Sequence, residues 1–222
     1  MVQISASLLA ADYARLGEEV QRAAAAGVDS FHFDMMDGHY VPNMAFAPEH
    51  LTALRPYSRL PFIAHLELSN PDGVLSRFDT FPADTIIVQW DTLHDPHTAF
   101  EGIHARGAPI GLALNPDERI EEIVRFLPNL DLLLILGVYP GFGGQTMQPG
   151  TTERLRAARA LANDLKPTVT IAVDGGVRPE NVASLVEAGA DCLIMGTALF
   201  RSSDMAETVH LVRESIAGSP RR

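Results

Sequence analysis

Short apolar runs recur along this chain, and each is followed by a longer stretch in which apolar positions return at helical spacing. The runs lie at 2–7, 30–36, 62–68, 85–90, 109–114, 132–138, 168–173 and 192–195. All are short and most are rich in branched side chains, as strands are. Between them, residues 12–26 place Leu16, Val20, Ala23 and Ala24 on one face, and 119–126 does the same with Ile120, Ile123, Val124 and the following Leu127; both spacings predict amphipathic helices. Pro179, in Arg178-Pro179-Glu180-Asn181, suits a first helical turn. Three helical patterns stop in a similar phrase, at Gly27, Gly107 and Gly189, where glycine supplies a left-handed residue and a strand begins soon after.

Strands alternating with helices predict a parallel sheet buried on both faces. Eight such units within 222 residues fit one closed (β/α)8 barrel, a TIM barrel spanning 1–222, better than an open doubly wound sheet. No linker or low-complexity tract divides the chain, and the tail Gly218-Ser219-Pro220-Arg221-Arg222 is expected to fray.

Charge narrows the function classes. A formal net charge of -11 disfavours nucleic acid and anionic membrane surfaces and favours small ligands. No apolar run reaches membrane-spanning length, and the first residues lack the basic start and apolar stretch of a secretory signal. Cys192 is the one cysteine, so no internal disulfide can form, and a cytoplasmic setting is expected. Lys166 is the one lysine and precedes a strand, which on a barrel places it at the face away from catalysis. Schiff-base chemistry is therefore disfavoured. Phe31, Trp90 and Cys192 read as packing residues, and His39, His50, His94, His97 and His104 as surface ones.

Residues two apart on a strand share a face, so His32 and Asp34 point one way while Phe31 and Phe33 point the other. By themselves the pair could be a satisfied structural hydrogen bond. His65 on the next strand and Asp174, which precedes Gly175-Gly176, admit equally plain readings, one as a core histidine and the other as a turn or cap residue. All four, however, are expected late in their strands, the end where barrel enzymes place their sites. One metal centre accounts for the four together, and two imidazoles with two carboxylates suit Zn2+, Fe2+ or Mn2+. Pro140-Gly141-Phe142-Gly143-Gly144-Gln145, Gly175-Gly176 and Gly196-Thr197 each follow a strand, where bare backbone N–H groups can face an anion or simply make a tight turn. No G-x-G-x-x-G fingerprint is present in the first of these, so a nicotinamide cofactor is disfavoured.

With these residues assembled, the chain resembles the ribulose-phosphate 3-epimerase family along nearly its whole length. The resemblance rests on Ile4-Ser5-Ala6-Ser7-Leu8-Leu9-Ala10-Ala11-Asp12, on His32-Phe33-Asp34-Met35-Met36-Asp37-Gly38-His39-Tyr40-Val41-Pro42-Asn43, and on the glycine segment at 140–145. Val173-Asp174-Gly175-Gly176-Val177 and Met195-Gly196-Thr197-Ala198-Leu199-Phe200 complete it. It implies an isomerase of the pentose phosphate pathway that interconverts D-ribulose 5-phosphate and D-xylulose 5-phosphate, assembled as a homo-oligomer. It implies one divalent ion held by His32, Asp34, His65 and Asp174, with Asp34 and Asp174 as acid and base. It also implies that Ser7 and His65 touch substrate, and that the phosphate meets Gly141, Phe142, Gly143, Gly144, Gly175, Gly176, Gly196 and Thr197. Inverting a carbon beside a ketone requires a proton to leave one face and return to the other, through an enediolate that a cation would stabilise.

Several positions depart from the family pattern. Methionines are expected to line the pocket; Met36 is one, but Glu67 and Leu136 stand where the other two would be. Tyr139 alters the segment before Pro140, and Gln89-Trp90-Asp91 replaces a usual His-x-Glu. Glu67 should look toward the pocket mouth, either reaching solvent or a loop partner as a neutral change, or acting as an acceptor that changes the sugar. The alternatives left open are a sister epimerase for a hexulose or tetrulose phosphate, and a non-catalytic phosphosugar-binding protein.

Overall fold

Eight parallel strands close into a barrel in a computed structural model that describes residues 1–79 and 83–217. They are β1 (Gln3–Ser7), β2 (Ser30–Asp37), β3 (Phe62–Glu67), β4 (Thr85–Gln89), β5 (Ile110–Leu114), β6 (Leu132–Leu136), β7 (Thr170–Asp174) and β8 (Cys192–Met195). Each pairs with its neighbour in chain order, and β1 pairs with both β8 and β2, which closes the ring. A two-residue strand, Met44–Ala45, folds back antiparallel on the end of β2. All eight predicted strands are present, with bounds shifted by at most two residues.

The pleat sorts the side chains into two layers. Ile63, Ile87, Ala113, Leu132, Leu134, Leu136, Ala172, Cys192 and Ile194 fill the barrel interior. Alternate residues such as Phe31, Phe33, Leu66, Val88 and Leu133 face outward and join the helices in the larger core. Because both faces are covered, the strands read as nearly continuous apolar runs. Cys192 is buried in the interior layer, where burial pushes its thiol up to about 12.

The helix Leu16–Ala26 stops at Gly27, whose φ of 94° lets its N–H reach the carbonyls of Ala23 and Ala24. A 3-10 turn, Tyr13–Arg15, precedes that helix, with Asp12 accepting from the Ala14 N–H. Asp95 caps Pro96–His104 in the same manner.

Three expectations need correction. Residues 119–126 do not form an α-helix: the link contains 3-10 turns at Ile120–Ile123 and Leu127–Asn129. Ile120, Ile123 and Leu127 are buried as the periodicity required, but Pro128 cannot continue a helical ladder and the link between strands is short. Pro179 lies in a turn ahead of Val182–Glu187 rather than inside that helix. His50 is half-buried, its Nδ1 against the backbone of Ala47, while the other four histidines expected at the surface are exposed. The expected fraying of 218–222 lies outside the described residues. No helix among the described residues is long and apolar enough to cross a membrane.

Candidate metal and phosphate site

The C-terminal ends of the strands surround a cavity of about 750 Å³. Of the four predicted ligands Asp34 and Asp174 line it, and His32 and His65 lie fully buried against Asp34 beneath its floor. His32 is the third residue of β2 and lies deeper than the strand-end position expected; Asp34 stands one inward step above it, level with His65 on β3. Asp174 ends β7 on the far side.

One nitrogen of each imidazole turns toward one carboxylate oxygen. His32 Nε2 lies 3.0 Å and His65 Nδ1 3.1 Å from Asp34 Oδ1, and the two nitrogens are 3.3 Å apart. Asp34 Oδ2 accepts the Ser7 hydroxyl at 2.8 Å. Asp174 splits its oxygens: Oδ1 accepts the Gly175 N–H at 2.7 Å and shapes the turn, while Oδ2 faces His32 Nε2 at 3.9 Å. One donor atom from each of the four residues lies within 4.8 Å of all the others. The turned-away nitrogens, His32 Nδ1 and His65 Nε2, have no hydrogen-bond partner among the described residues. Two imidazoles converging on a buried carboxylate leave facing lone pairs or crowded protons in every neutral tautomer. A divalent cation among the four donors would remove that conflict, and two imidazoles with two carboxylates are donors such an ion takes, so the residues fit it.

Electrostatics separate the two aspartates. Burial pushes Asp34 up, but the charges and hydrogen bonds of His32 and His65 outweigh it and hold the carboxyl well below its usual range. Burial and then the nearby charge of Asp34 push Asp174 up to about 7. Burial also depresses His65, whereas for His32 the pull of Asp34 overcomes burial and raises it.

Glu67 does not reach solvent. It is 3% exposed, with Oε1 3.6 Å from His65 Nδ1, and it lines the cavity. Burial, followed by the charges of Asp34 and Asp174, pushes it well above its usual range, while the Gly141 backbone N–H opposes that shift. Met36 and Leu136 are buried in the cavity wall, and Tyr139 is half-exposed at its mouth.

The glycine turns share one side of the cavity. Gly141 to Gly144, Gly175, Gly176, Gly196 and Thr197 all line it. A Cβ at Gly143 or Gly144 would come within 3.7 or 3.6 Å of Thr197 Oγ1, so the turns after β6 and β8 face each other. Gly175 and Gly176 have φ of 92° and 72°, and a Cβ on either would lie 2.5 Å from Val138 or Met147. Only glycine fits both the backbone conformation and the space there.

Sequence reading did not single out Arg178 and Arg201, exposed cations at the cavity mouth beside these turns. Nor did it find the brace across the loop after β2. Tyr40 donates to Asp91 at 3.0 Å, Asn115 donates to Tyr40 Oη at 2.9 Å, and Asn43 donates to the Gly141 carbonyl at 2.7 Å. Lys166 pairs with Asp131 at 3.4 Å, both just ahead of their strands and so at the opposite face.

The sequence pattern of the ribulose-phosphate 3-epimerase family matches residues 3–200. The chain belongs to this family.

Relatives share its full length. A Bacillus subtilis protein named ribulose-phosphate 3-epimerase is 34% identical over 216 residues, covering 97% of this chain and 100% of its own. The similarly named Synechocystis protein is 35% identical, covering 99% and 96% of the two chains. The chloroplastic ribulose-5-phosphate-3-epimerase of Arabidopsis thaliana is 37% identical over 96% of this chain and 76% of its own. Solved structures share the fold: orotidine 5'-phosphate decarboxylase from Pyrococcus horikoshii superposes with a TM-score of 0.70 at 17% identity, covering 97% of this chain and 99% of that one. A Streptococcus mutans structure titled KGPDC gives 0.69 at 13%, with 98% of each chain covered. Lys166, the one lysine, pairs with Asp131 and is not among the residues that line the cavity.

Proposed function

We propose that this protein interconverts D-ribulose 5-phosphate and D-xylulose 5-phosphate, one of Asp34 and Asp174 removing the C3 proton and the other delivering a different proton to the opposite face. The observation that carries the reading is the pair itself: two carboxylates on β2 and β7, on opposite sides of the same floor, with an oxygen of each 3.0 and 3.9 Å from His32 Nε2. Two such carboxylates are suited to complementary acid and base roles on the two faces of a bound substrate.

His32, Asp34, His65 and Asp174 would hold the divalent ion, Zn2+, Fe2+ or Mn2+, which when bound supplies positive charge where the reacting oxygens become negative. Asp34, steadied by Ser7, takes the C3 proton on one face. Asp174 returns a proton on the other, and in the reverse direction the roles exchange. The turns at Gly143, Gly144, Gly175, Gly176, Gly196 and Thr197 anchor the phosphate through backbone N–H groups, with Arg178 and Arg201 adding charge at the mouth. Phe142 sits in the first of these turns.

A second reading, an epimerase for another ketose phosphate, is favoured by Glu67 lying inside the cavity rather than in solvent. A non-catalytic binder has no reason to keep both carboxylates. Metal analysis joined to an epimerase assay over pentulose, hexulose and tetrulose phosphates tests these readings together. The pentulose reading requires D-ribulose 5-phosphate to be turned over best, and a clear preference for another sugar overturns it.

A further inference from the structure

The barrel wall opposite the glycine turns is polar where an interior is ordinarily apolar. β7 and β8 carry the turns at Gly175, Gly176 and Gly196, while β3 and β4 stand across the barrel axis from them. β3 ends in Glu67 and β4 in Gln89. The strands pair Leu66 with Val88, so Glu67 and Gln89 occupy the next rung side by side. They share the inward parity of Ile63 and Ile87, which face the barrel interior.

Glu67 lines the cavity and is 3% exposed, whereas Gln89 beside it is 0% exposed and stands behind the cavity lining. Glu67 Oε2 and both atoms of the Gln89 amide have no hydrogen-bond partner among the described residues. Glu67 Oε1 lies 3.6 Å from His65 Nδ1 and the Gly141 backbone N–H bears on the same carboxylate, while Oε2 is without a partner. Buried polar atoms left unmade are costly, so Glu67 Oε2 at the cavity, with the unpaired Gln89 amide behind it, points to a polar group that enters with the ligand. Substrate geometry says which. With its phosphate at the turns of β7 and β8 and its C2–C3 oxygens at the floor, a ketose 5-phosphate directs C1 toward β3 and β4. A hydroxyl both donates and accepts, as a carboxyl beside an amide requires; a methyl group does neither.

We propose that Glu67, backed by Gln89 on the neighbouring strand, forms the subsite for the C1 end of the ketose and selects a hydroxyl there. The proposal rests on the epimerase reading above. It is tested with the metal-loaded protein by comparing D-xylulose 5-phosphate with 1-deoxy-D-xylulose 5-phosphate, which differ at C1 alone, following C3 exchange in D2O by NMR. The wild type should favour the hydroxylated sugar in kcat/KM by roughly 10- to 100-fold, the range of a hydrogen bond to a charged or buried partner.

Glu67→Met should bring the ratio below about threefold, mainly by slowing the hydroxylated sugar, whereas Glu67→Gln keeps an acceptor and most of the ratio. Gln89→Leu should lower the ratio independently, which guards against a folding defect in the methionine variant. A wild-type ratio near one would mean that this wall holds water only and overturns the proposal. So would a ratio unchanged in Glu67→Met and Gln89→Leu while both sugars still exchange, and that result leaves the epimerase reading standing. Exchange on neither sugar by the wild type removes the epimerase reading and this subsite with it.

Discussion

Replacing Gly176 by alanine probes the phosphate side of the cavity, and Gly107→Ala supplies its control. The two glycines have nearly the same backbone, with φ of 72° and 70°. For alanine that left-handed conformation costs about 1–2 kcal/mol. At Gly107 nothing lies within 4 Å of the added Cβ, so the conformational cost is the whole effect. At Gly176 the Cβ would lie 2.5 Å from the Met147 backbone nitrogen and 2.9 Å from its Cα, so main chain must move. Overpacking of this kind adds about 1–3 kcal/mol, giving a total of roughly 2–5 kcal/mol. At about 2–4 °C per kcal/mol for a chain of this size, Gly107→Ala should lower Tm by roughly 2–8 °C and Gly176→Ala by clearly more. Displacing Met147 also disturbs Gln148, whose N–H donates to the Gly137 carbonyl at 2.7 Å in the strand-to-turn junction after β6. KM for the phosphorylated substrate should therefore rise at least about tenfold, or 1.4 kcal/mol, in Gly176→Ala and stay level in Gly107→Ala. Scanning calorimetry and steady-state kinetics on the two variants decide the matter. Equal losses of Tm, or an unchanged KM in Gly176→Ala, would refute the reasoning.

Other consequences follow from the floor of the cavity. Metal binding should release protons at pH 6 and fewer at pH 8. Asp174, raised to about 7, is mostly protonated below that pH and must ionise to become a ligand. Calorimetric titration in buffers of different ionisation enthalpy measures the release, and equal release at both pH values would count against Asp174 as a ligand. The same shift makes the metal-free protein lose stability as pH rises from about 4 through 7, because a raised folded pKa stabilises only while the native state holds the extra proton. Urea titrations across that range should show the decline, with saturating metal opposing it. Ser7→Ala removes the 2.8 Å hydrogen bond to Asp34. Hydrogen bonds to charged groups contribute about 1.5–3 kcal/mol, so kcat should fall roughly 10- to 150-fold with little change in metal content. A kcat within twofold of wild type would remove Ser7 from the positioning of Asp34.

Much of this arrangement was legible in the sequence, for physical reasons. Strands buried on both faces read as apolar runs, and the two-residue pleat placed His32 and Asp34 inward once Phe31 and Phe33 were assigned to the outer core. The glycines at 27, 107 and 189 are readable because a left-handed helix end favours one residue type. What periodicity could not distinguish was an α-helix from successive 3-10 turns over 119–126, since the same apolar positions are buried in either. It gave the direction of Glu67 but not its depth, because how far a strand end is covered depends on the loop carrying Gly141. The Tyr40–Asp91–Asn115 brace joins residues 51 and 75 positions apart, beyond any local pattern.

The central claim is that Asp34 and Asp174 remove and replace the C3 proton beside a bound divalent ion. Its most direct test is deuterium incorporation at C3 of D-ribulose 5-phosphate in D2O, followed by NMR. The metal-loaded protein should incorporate solvent deuterium at C3 as D-xylulose 5-phosphate forms. Incorporation should stop when the metal is stripped, return when it is restored, and be lost in Asp34→Asn. A folded, metal-loaded protein that leaves C3 unlabelled, or one that labels it equally well after stripping, would contradict the account.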